Sequence, residues 1–140
     1  MFTSPLLIAL ILAVTAQGAT EAVIKGSAKN DRIEGTVQDD RIFGLAGDDE
    51  IRGLGGFDVL FGGLGDDTLS GGSGKDYLSG EEGNDRLFIS YRGALADFAS
   101  CGAGDDVVVA DGVPDSARAR VRQQLEGAPY YCETIRFAGG

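Results

Sequence analysis

The chain has 140 residues and a mass of 14.5 kDa, enough for one domain once an N-terminal leader is set aside. A net charge of −10 and a pI near 4.3 argue against nucleic acid or an anionic membrane as partner. There is no histidine, and no GxSxG, HExxH or phosphate-loop pattern, so the chain is expected to be non-catalytic.

Residues 1–18 read as a signal peptide. The apolar run Leu6 to Val14 is too short to span a bilayer, and small residues follow it, with cleavage sites after Ala16 or Gly18. This predicts a secreted, extracellular protein without membrane insertion. A buried N-terminal helix is the alternative. Thr20 to Lys25 is expected to hold a lead-in strand, Ala22-Val23-Ile24.

From Gly26 to Phe88 the chain divides into seven units of nine residues: GSAKNDRIE, GTVQDDRIF, GLAGDDEIR, GLGGFDVLF, GGLGDDTLS, GGSGKDYLS and GEEGNDRLF. Gly opens every unit. The sixth position is always Asp (Asp31, Asp40, Asp49, Asp58, Asp67, Asp76, Asp85), and the eighth is always Ile or Leu. Gly47, Gly56, Gly65, Gly74 and Gly83 hold the fourth position of the last five units, and Gly63 and Gly72 the second position of two. A fixed short period marks a stacked fold. Six residues suit a turn, with Gly at the first and fourth positions permitting positive φ, and three suit a strand whose eighth position points inward. Stacking brings same-edge Asp side chains to roughly 5 Å, the spacing of neighbouring strands. Each pair then repels by about 1 kcal/mol in water and more at lower dielectric. Asx-turns on a metal-free solenoid are one way to use such residues. A cation between the carboxylates is the other.

The units GGLGDDTLS and GGSGKDYLS match GGxGxDxUx at every specified position, and the segment resembles the RTX (repeats-in-toxin), hemolysin-type calcium-binding nonapeptide repeat family. The resemblance implies an all-β fold, a parallel β-roll (β-solenoid), with Ca²⁺ held between stacked loops of one edge. Carried onto this sequence, the implied pairs are Asp31/Asp49, Asp40/Asp58, Asp49/Asp67, Asp58/Asp76 and Asp67/Asp85, with carbonyls of the glycine-rich turns. Lys29 and Gln38 replace the fourth-position Gly in the first two units, which singles those pairs out as the weaker ones.

The outward positions also differ between the two stacks. One face carries Phe43, Phe61 and Tyr77, a strip that suits either an extracellular protein or carbohydrate partner or mutual packing of its own rings.

After Phe88 the register slips by three residues and resumes as two degenerate units, 92–100 and 101–109, with Asp97 and Asp106 at the sixth position. The β-roll is thus expected over 19–109, and 110–140 as a C-terminal cap. Pro114-Asp115-Ser116 opens a helix with a stripe of Ala117, Val121 and Leu125, ending before Gly127. Arg118, Arg120 and Arg122 alternate along it and are expected on a solvated surface. A final strand, Thr134 to Phe137, closes the last coil. Cys101 and Cys132, the only cysteines, bracket this cap and read as a disulfide in an exported chain, a redox or metal thiol pair being the rival. The functional expectation is a secreted protein whose folding depends on calcium. The alternatives are an adhesion or matrix module using the aromatic strip, or an accessory piece of a secreted enzyme.

Overall fold

The structure, a computed structural model, describes residues 21–91, 97–126 and 132–138. The leader expected over 1–18, the start of the unit at 92–100 and the helix stop at Gly127 lie outside the described residues.

Among the described residues, eleven strands and one helix are arranged as a parallel β-solenoid. The strands are β1 (Glu21–Lys25), β2 (Arg32–Glu34), β3 (Asp39–Ala46), β4 (Glu50–Gly56), β5 (Val59–Leu64), β6 (Thr68–Gly74), β7 (Tyr77–Glu82), β8 (Arg86–Ser90), β9 (Phe98–Ala103), β10 (Val107–Asp111) and β11 (Thr134–Phe137). Helix α1 spans Asp115–Glu126, between β10 and β11. Strands β1 to β10 alternate between two sheets and β11 joins the second: β1-β3-β5-β7-β9 on one side and β11-β10-β8-β6-β4-β2 on the other. Each full coil therefore consumes two nonapeptides, and residues 18 apart lie side by side, as in Ile42↔Leu60 and Ile51↔Leu69.

The eighth position forms the interior. Ile42, Ile51, Leu60, Leu69, Leu78 and Leu87 are fully buried, and Ile24, Ile33, Ala99 and Val108 extend the two columns. This follows from strand alternation, which sends the flanking seventh and ninth positions outward. Most strands run longer than the three residues expected, because backbone pairing continues into the first positions of the next unit, as in Leu54↔Gly72 and Gly56↔Gly74.

The glycines divide by task. First-position Gly residues do not take positive φ, contrary to expectation. They are needed for space, since a Cβ on Gly62 would fall on Asp67 Oδ2 and on the carbonyl oxygen of Gly80 in the next coil. Positive φ belongs to the second and fourth positions: Leu45, Leu54, Gly63, Gly72, Glu81 and Gly102, then Gly47, Gly56, Gly65, Gly74, Gly83 and Gly104.

The three-residue slip is absorbed without breaking the stack. Strands β7 and β9 pair as Leu78↔Ala99, and β8 and β10 as Leu87↔Val108, both 21 residues apart. Ile89, in the slip, is buried. The cap continues the roll: β11 pairs in parallel with β10, Val108 opposite Ile135. Helix α1 buries Val121 and Leu125 in the same core, and Cys101–Cys132 form a disulfide with Cα atoms 5.2 Å apart. Arg118 and Arg122, one turn apart, share a face and lie over the Phe137 ring at 5.4 and 5.6 Å. Arg120 and Arg122 are exposed, as expected of a solvated surface, whereas Arg118 is half-buried.

Candidate metal centre

The sixth-position aspartates form two ladders, one along each edge of the solenoid. On the edge leading into the six-stranded sheet, the backbone N–H of Asp31 donates to Asp49 Oδ1 (2.7 Å), Asp49 to Asp67 (2.8 Å), Asp67 to Asp85 (2.8 Å) and Asp85 to Asp106 (2.8 Å). On the other edge Asp40 donates to Asp58 (2.8 Å), Asp58 to Asp76 (2.9 Å) and Asp76 to Asp97 (2.9 Å). From Asp49 onward, one oxygen of each carboxylate thus holds the preceding coil in register.

The second oxygen separates the loops into two kinds. In the first two units a hydroxyl-bearing residue at the second position closes the carboxylate. Ser27 donates its N–H (2.6 Å) and Oγ–H (2.8 Å) to Asp31 Oδ2, and Thr36 donates its N–H (2.5 Å) and Oγ1–H (3.1 Å) to Asp40 Oδ2. Asp97, at the far end, accepts the Ser90 N–H (2.6 Å). In Asp49, Asp58, Asp67, Asp76, Asp85 and Asp106, by contrast, Oδ2 is buried and has no hydrogen-bond partner. These six belong to the six units with positive φ at both the second and fourth positions.

A buried carboxylate oxygen without a donor is costly. Burial is the main cause raising these carboxyl pKa values, partly opposed by the backbone N–H each accepts. Asp58 and Asp67 are pushed up to about 7, with neighbouring carboxylates adding to the rise. Asp76 and Asp85 rise to about 6, and Asp49, Asp97 and Asp106 are raised as well. The edges are therefore places where negative charge lacks compensation, and a proton or a cation supplies it.

The donor chemistry fits a hard cation. First-position carbonyl oxygens of the next coil, those of Gly62, Gly71, Gly80 and Cys101, lie beside the same glycine Cα positions as the unpartnered Oδ2 of Asp49, Asp58, Asp67 and Asp85. Among the described residues no group of three or more acidic, histidine or cysteine side chains converges. Both cysteines are consumed by the disulfide. Oxygen ligands drawn partly from carbonyls suit Ca²⁺ rather than Zn²⁺.

The structure brings the expected residues together in pairs: Asp49/Asp67, Asp58/Asp76, Asp67/Asp85, and also Asp31/Asp49 and Asp40/Asp58, whose first members are closed. Gly47, Gly56, Gly65, Gly74 and Gly83 shape the fourth position and Gly63 and Gly72 the second. Sequence reasoning missed a second, exposed ladder at the fifth position, Asn30–Asp48–Asp66–Asn84–Asp105, each side-chain Oδ1 accepting the next residue's N–H at 2.8–2.9 Å. The recurrence of Asn or Asp there in alternate units was the available signal. The aromatic strip packs on itself: Phe43 and Phe61 stack at 5.1 Å, and Tyr77 tilts against Phe61 at 6.2 Å.

Comparison with known families matches the RTX calcium-binding nonapeptide repeat (4 copies) to residues 25–60 and 52–87. No curated protein and no solved structure matches the chain significantly. The segment that builds most of the solenoid belongs to the RTX family of calcium-binding repeats.

Proposed function

We propose that this RTX repeat protein is a secreted, non-catalytic calcium-binding protein whose β-roll folds on Ca²⁺. The observation that carries the reading is the set of six buried, unpartnered Oδ2 atoms, confined to loops with positive φ at the second and fourth positions. Asp49, Asp58, Asp67, Asp76 and Asp85 are the repeat carboxylates that would hold the ions, with first-position carbonyls of the adjoining coil. Bound calcium supplies the positive charge that stacked carboxylates lack. Asp31 and Asp40 take part differently: their N–H groups orient Asp49 and Asp58, while Ser27 and Thr36 close their own oxygens.

Dependence on the ion follows from a lean interior, one aliphatic side chain per nonapeptide. A core this thin leaves little to offset the entropy of ordering so many glycines. Affinity is expected in the weak extracellular range, on the order of 10⁻⁴–10⁻³ M. Secretion is supported by the leader-like residues 1–18, by the disulfide and by the habit of RTX proteins. No helix among the described residues is long and apolar enough to cross a membrane.

The test is circular dichroism of the mature, oxidised protein during a calcium titration. Little ordered structure in chelator and a β-rich spectrum in millimolar Ca²⁺ are expected. An unchanged spectrum across the titration would refute the folding switch.

A further inference from the structure

The ladder on the edge of the six-stranded sheet does not end with a repeat. The Asp106 N–H donates to Glu133 Oε2 at 3.0 Å, the same contact that Asp85 makes with Asp106 one coil earlier. Thr134 N–H then donates to the Asp106 carbonyl (3.1 Å), as Val107 N–H does to that of Asp85 (2.8 Å). Glu133 stands two residues before Ile135, which lies opposite Val108, and Asp106 stands two before Val108. The cap thus presents a carboxylate in the sixth-position register, with a side chain one methylene longer.

The loop beneath it is of the open kind. Gly102 and Gly104 take positive φ, Asp106 is fully buried, and its Oδ2 has no hydrogen-bond partner. Cys132, adjacent to Glu133, is bonded to Cys101, the first residue of the unit that carries Asp106. The disulfide therefore fixes Glu133 to the coil it overlies.

We propose that Asp106 and Glu133 hold a further calcium ion between the last coil and the cap, an inference that rests on the calcium-binding reading of the repeats. The site is a hybrid, half repeat and half cap. It joins closure of the solenoid's end to the ion that the interior of the stack already uses.

The experiment is calorimetric calcium titration of the oxidised parent, Glu133→Gln, Asp106→Asn and the double variant, each checked for β-rich circular dichroism in millimolar Ca²⁺. Each single variant should lose one calcium equivalent and keep the rest, and the double variant should lose no more than either single. Unchanged stoichiometry and affinity in Glu133→Gln would overturn the site while leaving the repeat sites intact. No calcium binding by the parent would overturn the reading of the repeats, and this inference with it. If Glu133→Gln does not fold, Glu133→Asp decides. Weakened affinity for one equivalent alone supports the site, and unchanged affinity for every equivalent overturns it.

Discussion

The first two loops and the six open ones share Asp at the sixth position and an aliphatic residue at the eighth, and stack in the same two ladders, yet their carboxylates end differently. Asp31 and Asp40 are closed by Ser27 and Thr36, whereas Asp49, Asp58, Asp67, Asp76, Asp85 and Asp106 each keep a buried oxygen without a donor. The eighth position makes the solenoid, and the second and fourth decide whether a loop completes itself. Where those two positions take positive φ, the local N–H no longer reaches the carboxylate, and an external positive charge is needed. Where Ser or Thr stands at the second position with Lys29 or Gln38 at the fourth, the protein supplies its own donors. The first two loops lie at one end of the stack, where they suit an entry cap, and Asp97, closed by the Ser90 N–H, lies toward the other.

The largest effect should come from emptying open loops. Asp67→Ala with Asp76→Ala is expected to abolish calcium-induced folding at millimolar Ca²⁺, read by circular dichroism. Asp31→Ala with Asp40→Ala should leave the number of bound ions unchanged and destabilise by about 1.5–3 kcal/mol for each charged hydrogen-bond set lost. Equal loss of calcium binding in the two double variants would erase the distinction between the loops.

Acidity probes the same distinction without mutation. Four of the open-loop carboxyls, Asp58, Asp67, Asp76 and Asp85, have folded-state pKa values of about 6 to 7 against an ordinary value of 3.8, and those of Asp49 and Asp106 are raised too. A raised carboxyl pKa favours the folded state when protonated. That contribution is fully present below about pH 3.8 and lost as pH rises through 6 to 7. In chelator, β structure should therefore increase from pH 8 to pH 4, while calcium affinity should fall over the same interval as protons compete. Circular dichroism in chelator and calcium titration at the two ends check both signs. A metal-free protein that loses structure on acidification would contradict the account.

A smaller change sharpens the comparison by conversion. Replacing Ser27, Lys29, Thr36 and Gln38 with Gly should open the first two loops and raise the calcium count by up to about two, since Asp31 and Asp40 would lose their local closure. An unchanged count would mean that the second and fourth positions do not select the sites.

Much of this was legible in the sequence because a strict period converts position into place. The inward column, the Asp ladders, the two-unit coil and the Cys101–Cys132 bridge could all be read from residue spacing and the family resemblance. Three things could not. Leu45, Leu54 and Glu81 adopt positive φ, which their side chains disfavour, because neighbouring coils impose the turn. Asp97 and Asp106 join the ladders only because the pairing interval shifts from 18 to 21 residues after Phe88, which keeps both in register with the coil before. Glu133 lies outside any nonapeptide, and its one signal was the spacing Glu133-Thr134-Ile135, which repeats that of Asp106-Val107-Val108.

The most direct measurement is a crystal structure of the oxidised protein grown in calcium, with ions located by anomalous scattering. Ordered cations should lie against Oδ2 of Asp49, Asp58, Asp67, Asp76 and Asp85, with none held by the closed Asp31 or Asp40 carboxylates. Cations found only along the exposed Asp48–Asp66 rungs, or buried carboxylates that remain without one, would contradict it.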